Sequence, residues 1–213
     1  MARAAVLGET RTPSSQNEHG GCPITLASQA NDWLHANSLY YDQDGNIIIS
    51  LRHQDWVIKI AYENGMGDGH IVWRLGNQGD FALINPLGLQ SPWFSHQHDV
   101  ERQSNGQLSL FDNANTRHAT DPHAGSQGQA WTLDEVHMTA TLSLNLGLGV
   151  YSSAYGTAQL LNNGNWWFHA GHIEGGSDQS RMYEFNAGGV LVYELSYPAE
   201  SYRSFRLSTL FAF

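Results

Sequence analysis

Within DWLHANSLYYDQDGNIIISLRHQDWVIKI, residues 32–60, the side chains with chemical capacity are His35, Asn37 and Arg52. An arginine presents a planar, permanently protonated fork of donors that matches anionic oxygen acceptors. An asparagine amide adds a neutral donor, and histidine is the residue type that moves protons near neutral pH. A second group, His96 and His98 in HQH, has the spacing that strand alternation places on one face, where two imidazoles can hold a transition metal. The acidic DQDG at 42–45 opens like a calcium loop, but the later bidentate Glu is missing, so it reads as a hairpin turn. Each of these residues also has an ordinary structural explanation. His35 can cap a strand, Asn37 can sit in a turn and Arg52 can be a surface charge.

The elements that must position these groups come from a repeat. DGNIIIS (44–50), SNGQLSLFD (104–112) and NNGNWWFHAG (162–171) each set a polar residue and a glycine before an apolar run. Gly45, Gly106 and Gly164 stand 61 and 58 residues apart. Asx-Gly pairs between alternating segments are strong hairpin signals. The neighbours repeat as well. HANSLYYD, HDVERQ and SAYGTAQLL precede the turns, and WVIKIAY, QAWTLDE and RMYEFNA follow. A fourth strand comes in HIVWRLG, ATLSLNL and VLVYELS. Four strands per repeat, three repeats and no convincing helix predict an all-β chain built as a β-propeller of four-stranded antiparallel blades, with an unrelated β-sandwich as the plainer alternative. The blades are expected at about 31–90, 91–150 and 151–213, after an irregular segment over 1–30. Propellers close with about 4–8 blades, so three make a partial propeller whose open edge favours self-association. ESYRSFRLSTLFAF at the C-terminus is available as a further strand.

In a propeller the first strand of each blade lies nearest the axis. His35 and Asn37 begin that strand in the first repeat, and His96 and His98 begin it in the second. Ala154 and Gly156 hold these places in the third, so the blade template does not require the polar groups. Arg52 lies seven residues after its turn glycine; the same offset gives Asn113 and Gly171. His118 and His123 fall in a Gly/Ser/Asp-rich loop and are expected to be solvated, while the seven Trp residues are expected to fill blade interfaces.

Composition limits the partners. The net charge is −10, with nine Arg and one Lys, which disfavours nucleic acid and anionic membrane surfaces. No apolar run approaches a membrane span, and the first 21 residues lack the apolar core of a signal peptide. The lone Cys22 permits no internal disulfide.

DWLHANS, SLRHQDWVIKI, IVWRLG-x₃-DF, WFSHQHD, LFDNANTR and SYRSFR, in this order, closely resemble the bacterial arylsulfate sulfotransferases, over about residues 31–213. That resemblance implies half of a six-bladed propeller with its active site on the axis, a small-molecule aryl sulfate donor, a phenolic acceptor, no cofactor and no metal. It also implies export to the periplasm. Carried over by position, the catalytic residues are His35, Arg52 and His98, with His98 transiently sulfurylated in a ping-pong scheme. Asn37, and with it Asn113, is expected to contact substrate. His96 matches no family position. Sulfuryl transfer concentrates charge on three oxygens, which calls for fixed donors, and a neutral imidazole is a competent nucleophile. Full-length members of that family carry further blades and another active-site His before the DW-x-H block, where this chain has 31 residues. Two other classes stay open on the residues alone: a non-catalytic propeller that binds ligands or proteins, and a metal-dependent hydrolase or lyase using His35, His96 and His98.

Overall fold

A computed structural model describes residues 32–207. The chain divides into two compact units, Met1–Trp33 and Leu34–Phe213, and every described strand and helix lies in the second. The 1–30 expectation therefore lies outside the described residues.

The second unit is almost entirely β-structure. The first blade is the meander β1 (Ala36–Tyr41), β2 (Ile47–Leu51), β3 (Trp56–Ile60) and β4 (Ile71–Leu75). A short β5 (Ala82–Ile84) follows. The second blade holds β6 (His98–Arg102), β7 (Leu108–Asp112), the helix α1 (Asn115–Thr120), β8 (Gln127–Asp134) and β9 (Thr139–Gly147). Then come β10 (Ser152–Ala154), β11 (Thr157–Leu160), β12 (Trp166–Ala170), β13 (His172–Ile173), β14 (Ser180–Phe185) and β15 (Leu191–Tyr197). The third blade is β11-β12-β14-β15, and β10 and β13 pair as a small separate ribbon. Each blade is built on a four-stranded antiparallel meander, and the three follow one another as in a propeller. The hairpin glycines turn in the left-handed region, with φ of 82° at Gly45 and 83° at Gly106 and Gly164.

Two features depart from the sequence expectation. Residues 82–84, expected in the first blade, pair in parallel with β9 and widen the second blade to five strands. The described part of the C-terminal segment, 200–207, forms no strand. It runs beside β11 through side chains: Ser204 N donates to Thr157 Oγ1 (3.3 Å) and Arg206 N to Gln159 Oε1 (3.0 Å). Polar side chains in β11 thus take the ladder bonds that a strand partner would make.

The innermost strands neighbour one another, β1 against β6 and β6 against β11. Side chains on one blade meet backbone on the next. Val100 N donates to Ser38 Oγ (3.1 Å), Ala158 N to Asp99 Oδ2 (3.1 Å) and Leu160 N to Gln103 Oε1 (2.9 Å). The apolar core lies between blades. One cluster joins Ile48, Val57 and Trp73 of the first blade to Leu108, Leu110 and Trp131 of the second. Another joins Phe111 and Ala130 of the second to Ala158 and Phe168 of the third. DQDG is a hairpin turn, with Gly45 N donating to Asp42 O (3.0 Å). Its carboxylates are neutralised by protein cations, since Asp42 takes Arg102 at 2.8 Å and Asp44 takes the buried Lys59 at 2.5 Å.

Gly128 of β8 marks a close contact between the second and third blades. A methyl there would lie 2.2 Å from the buried Phe168 ring. Gly128→Ala is expected to cost about 1–3 kcal/mol by overpacking, at about 2–4 °C of Tm per kcal/mol in a chain of this size. Thermal melting followed by circular dichroism reads it, and an unchanged Tm would show that the blades slide apart freely.

Candidate active site

The first pair of candidate residues is assembled by backbone pairing. Arg52 N donates to His35 O (3.1 Å) and His53 N to Leu34 O (3.2 Å), so the β1–β2 ladder extends one step beyond its regular end. His35 breaks the strand with φ 47°, and Asp55 closes the bend after Arg52 with φ 53°. The Arg52 guanidinium is half-buried. Its Nη1 lies 2.8 Å from His53 Nε2, and its Nη2 donates to Ser153 O at 3.0 Å. The blade-one hairpin is thereby fastened to the entrance of the third blade, 101 residues away.

His98 starts β6 and is 3% exposed. Its Nδ1 is 2.7 Å from Asn113 Oδ1, and Tyr155 N is 3.3 Å from its Nε2. Burial pushes the imidazole pKa down to about 3; the bond with Asn113 opposes this, and the positive fields of Arg52 and His35 reinforce it. The ring is therefore neutral at pH 7. The same fields place Arg52 and His35 in its electrostatic neighbourhood. Asn113 follows β7 and is fully buried; its Nδ2 donates to Ser152 O (2.7 Å) and Tyr155 O (3.0 Å). Asn37 Nδ2 donates to Gln97 O (2.8 Å), the carbonyl just before His98, and its buried Oδ1 has no partner among the described residues. Asn37, Arg52, His98 and Asn113 thus share two short segments, 97–98 and 152–155, while His35 is tied to Arg52 through the backbone.

Several neighbours carried no signal in the sequence. His53 tilts against His35 with ring centroids 4.7 Å apart and lies 5.9 Å from the His96 ring. Tyr155, with φ 64°, turns its peptide N–H toward His98, and its ring stands 5.1 Å from that of Tyr202. Both tyrosine rings meet the His98 ring edge-on, at 6.4 and 6.3 Å. Tyr202 Oη and Arg203 Nη2 donate to Asn37 O, which brings the SYRSFR block to the same place.

The shared-face expectation for His96 and His98 fails. His96 has φ 55° and precedes the strand, so alternation does not apply. Its backbone N donates to Asp55 Oδ1 (2.7 Å), and its Nδ1 lies 3.2 Å from the same oxygen without hydrogen-bond geometry. Among the described residues, the ligating nitrogens of His35, His96 and His98 do not all come within 4.8 Å of one another. His118 is not simply solvated, because it stacks on Tyr151 with centroids 3.5 Å apart.

No curated protein matches the sequence. Among solved structures, the chain is similar to the PQQ-bound form of an aldose sugar dehydrogenase from Streptomyces coelicolor, with a TM-score of 0.47 and 8% identity. That likeness covers 72% of this chain and 45% of the dehydrogenase, so the chain spans less than half of it. The arylsulfotransferase (ASST) family matches residues 4–204, a range that takes in most of the segment before His35 as well as all three blades. With the match running over nearly its whole length, the chain belongs to the arylsulfotransferase family.

Proposed function

We propose that this chain moves a sulfuryl group from an aryl sulfate to a phenol, with His98 as the nucleophile and a sulfo-histidine between two half-reactions. Family membership supports sulfuryl transfer and small aryl substrates. The observation that carries the finer reading is His98 itself: a buried imidazole, hydrogen-bonded at both ring nitrogens and neutral at pH 7, in the field of the Arg52 charge. Neutrality leaves a lone pair for attack on sulfur, and the guanidinium fork is suited to the sulfuryl oxygens. Arg52 and Asn37 take the oxygens as charge builds on them. His35, exposed and backbone-paired with Arg52, gives a proton to the departing phenolate and takes one from the arriving phenol. Tyr155 and Tyr202 flank the His98 ring, where an aryl group can pack against their faces.

The test is direct. The chain is incubated with 4-nitrophenyl sulfate and no acceptor, then measured intact and after proteolysis. The expected result is one added sulfuryl mass on the peptide holding His98, lost when a phenol is supplied. No adduct, with nitrophenolate still released in proportion to enzyme turnover, would mean direct transfer between substrates and would sink the covalent scheme.

A further inference from the structure

We infer that Asn113 is a positioning residue that fixes His98 as the Nδ1–H tautomer and keeps that proton on the ring through both half-reactions, so that Nε2 is the atom that accepts sulfur. This rests on the sulfo-histidine reading above. It departs from the expectation that Asn113 touches substrate, because each end of its amide is already committed within the protein.

The tautomer follows from what each partner can do. The Asn113 amide faces two carbonyl oxygens, Ser152 O at 2.7 Å and Tyr155 O at 3.0 Å. Only the NH₂ end can face two acceptors, and a flipped amide would set oxygen against oxygen twice. Oδ1 must then be the end that meets His98 Nδ1 at 2.7 Å, and an amide oxygen only accepts, so Nδ1 carries the hydrogen. An independent partner requires the same form. The Tyr155 peptide N–H, 3.3 Å from Nε2, can only donate, so Nε2 must present its lone pair. Asn113 lies just after β7 and Tyr155 just after β10, and both impose one state on a ring that is 3% exposed.

The choice of amide over carboxylate matters for the chemistry. In the first half-reaction the Tyr155 N–H releases Nε2, whose freed lone pair forms the N–S bond; the aryl O–S bond breaks, and the phenolate leaves with the electron pair and takes a proton from His35. The ring is then an N-sulfo-imidazolium that still holds its Nδ1 proton, because an amide oxygen is too weak a base to remove it. In the second half the phenol oxygen attacks sulfur, its proton returns to His35, and the N–S pair goes back to Nε2. The leaving group is a neutral imidazole. A carboxylate at position 113 would draw off the Nδ1 proton and leave sulfur on an uncharged ring, whose departure would require an imidazolate. Asparagine therefore keeps the sulfuryl group transferable.

A chain labelled with ¹⁵N-histidine tests the tautomer without any substrate. At pH 7 the ring resonances missing from a His98→Gln variant should show a protonated, pyrrole-type Nδ1 and a pyridine-type Nε2. A pyrrole-type Nε2 or an imidazolium overturns the proposal, whatever the enzyme's activity. Single-turnover kinetics tests the chemistry. Asn113→Asp should still take up sulfuryl from 4-nitrophenyl sulfate but discharge it to phenol roughly 10²-fold more slowly, the scale of one misplaced catalytic proton. Discharge at the unaltered rate overturns the proton-retention argument. A wild-type chain that forms no adduct defeats the sulfo-histidine reading instead, and the nitrogen spectrum reports separately on Asn113.

Discussion

His98→Ala is expected to lower 4-nitrophenyl sulfate turnover by on the order of 10⁴–10⁶-fold, the range found when a covalent nucleophile is removed from a site whose other groups remain. The adduct on intact protein should vanish with it. Truncation also leaves Asn113 Oδ1 and the Tyr155 N–H without their imidazole partner, at about 1–3 kcal/mol for each group left buried and unsatisfied. A thermal melt run beside the assay separates that loss of stability from loss of chemistry. Arg52→Lys provides the comparison. It keeps one positive charge but gives up the fork that reaches both Ser153 O and the His53 ring, so a fall of roughly 10²-fold is expected, larger than unchanged charge would allow. If His98→Ala retains more than about a hundredth of the activity while folded, the imidazole is not the nucleophile, since loss of a single positioning contact reaches that size.

The blade strands were legible in the sequence because a period of two and an Asx-Gly turn recur together at Gly45, Gly106 and Gly164. His35 and Arg52 were legible as a pair because the antiparallel ladder of β1 and β2 must bring residues on either side of a hairpin side by side. What stayed hidden depended on backbone that leaves the strand pattern. His35, His96, Asp99 and Tyr155 all have positive φ, and nothing in local composition marks those positions. Once His96 turns out of register, alternation no longer says where it points, which is why the HQH pair parts company. Asn113 was found by its offset from a turn glycine, but its role depends on two carbonyls some 40 residues later in the chain. Tyr155 could not be found at all: what it offers His98 is a peptide N–H, which every residue except proline possesses.

Acid should destabilise the fold between pH 6.5 and 4, well before most carboxylates titrate. Burial lowers the pKa of His98 to about 3 and that of His169, which lies 2.7 Å from Ser201 Oγ, to about 4. An unfolded chain binds a proton at each near pH 6.5, and the native chain refuses both until much lower pH, so stability falls as pH drops through this window. Asp99 acts in the opposite sense. Burial raises its pKa to about 6 despite Arg203 at 3.3 Å, so the native state holds a proton that the unfolded chain lacks down to about pH 4. Burial pushes Asp112 the same way as Asp99, with Arg117 opposing it. Two histidines against Asp99 alone leave the unfolded state ahead by at most about one proton near pH 5, or at most about 1.4 kcal/mol per pH unit. Asp42 and Asp44, whose pKa values lie below the ordinary carboxylate range, add a further loss only at lower pH. Thermal midpoints taken from pH 8 to pH 4 should therefore be level above about 7, as far as these groups decide, and fall steadily below 6.5. His169→Gln should remove much of that slope while leaving His98 in place. A slope between pH 6.5 and 5 that is the same in wild type and in His98→Gln would mean that His98 takes up its proton in the native state as it does in the unfolded chain. In that case the ring titrates like an ordinary histidine, its lone pair is lost in mild acid, and the covalent scheme loses the enforced neutrality on which it depends.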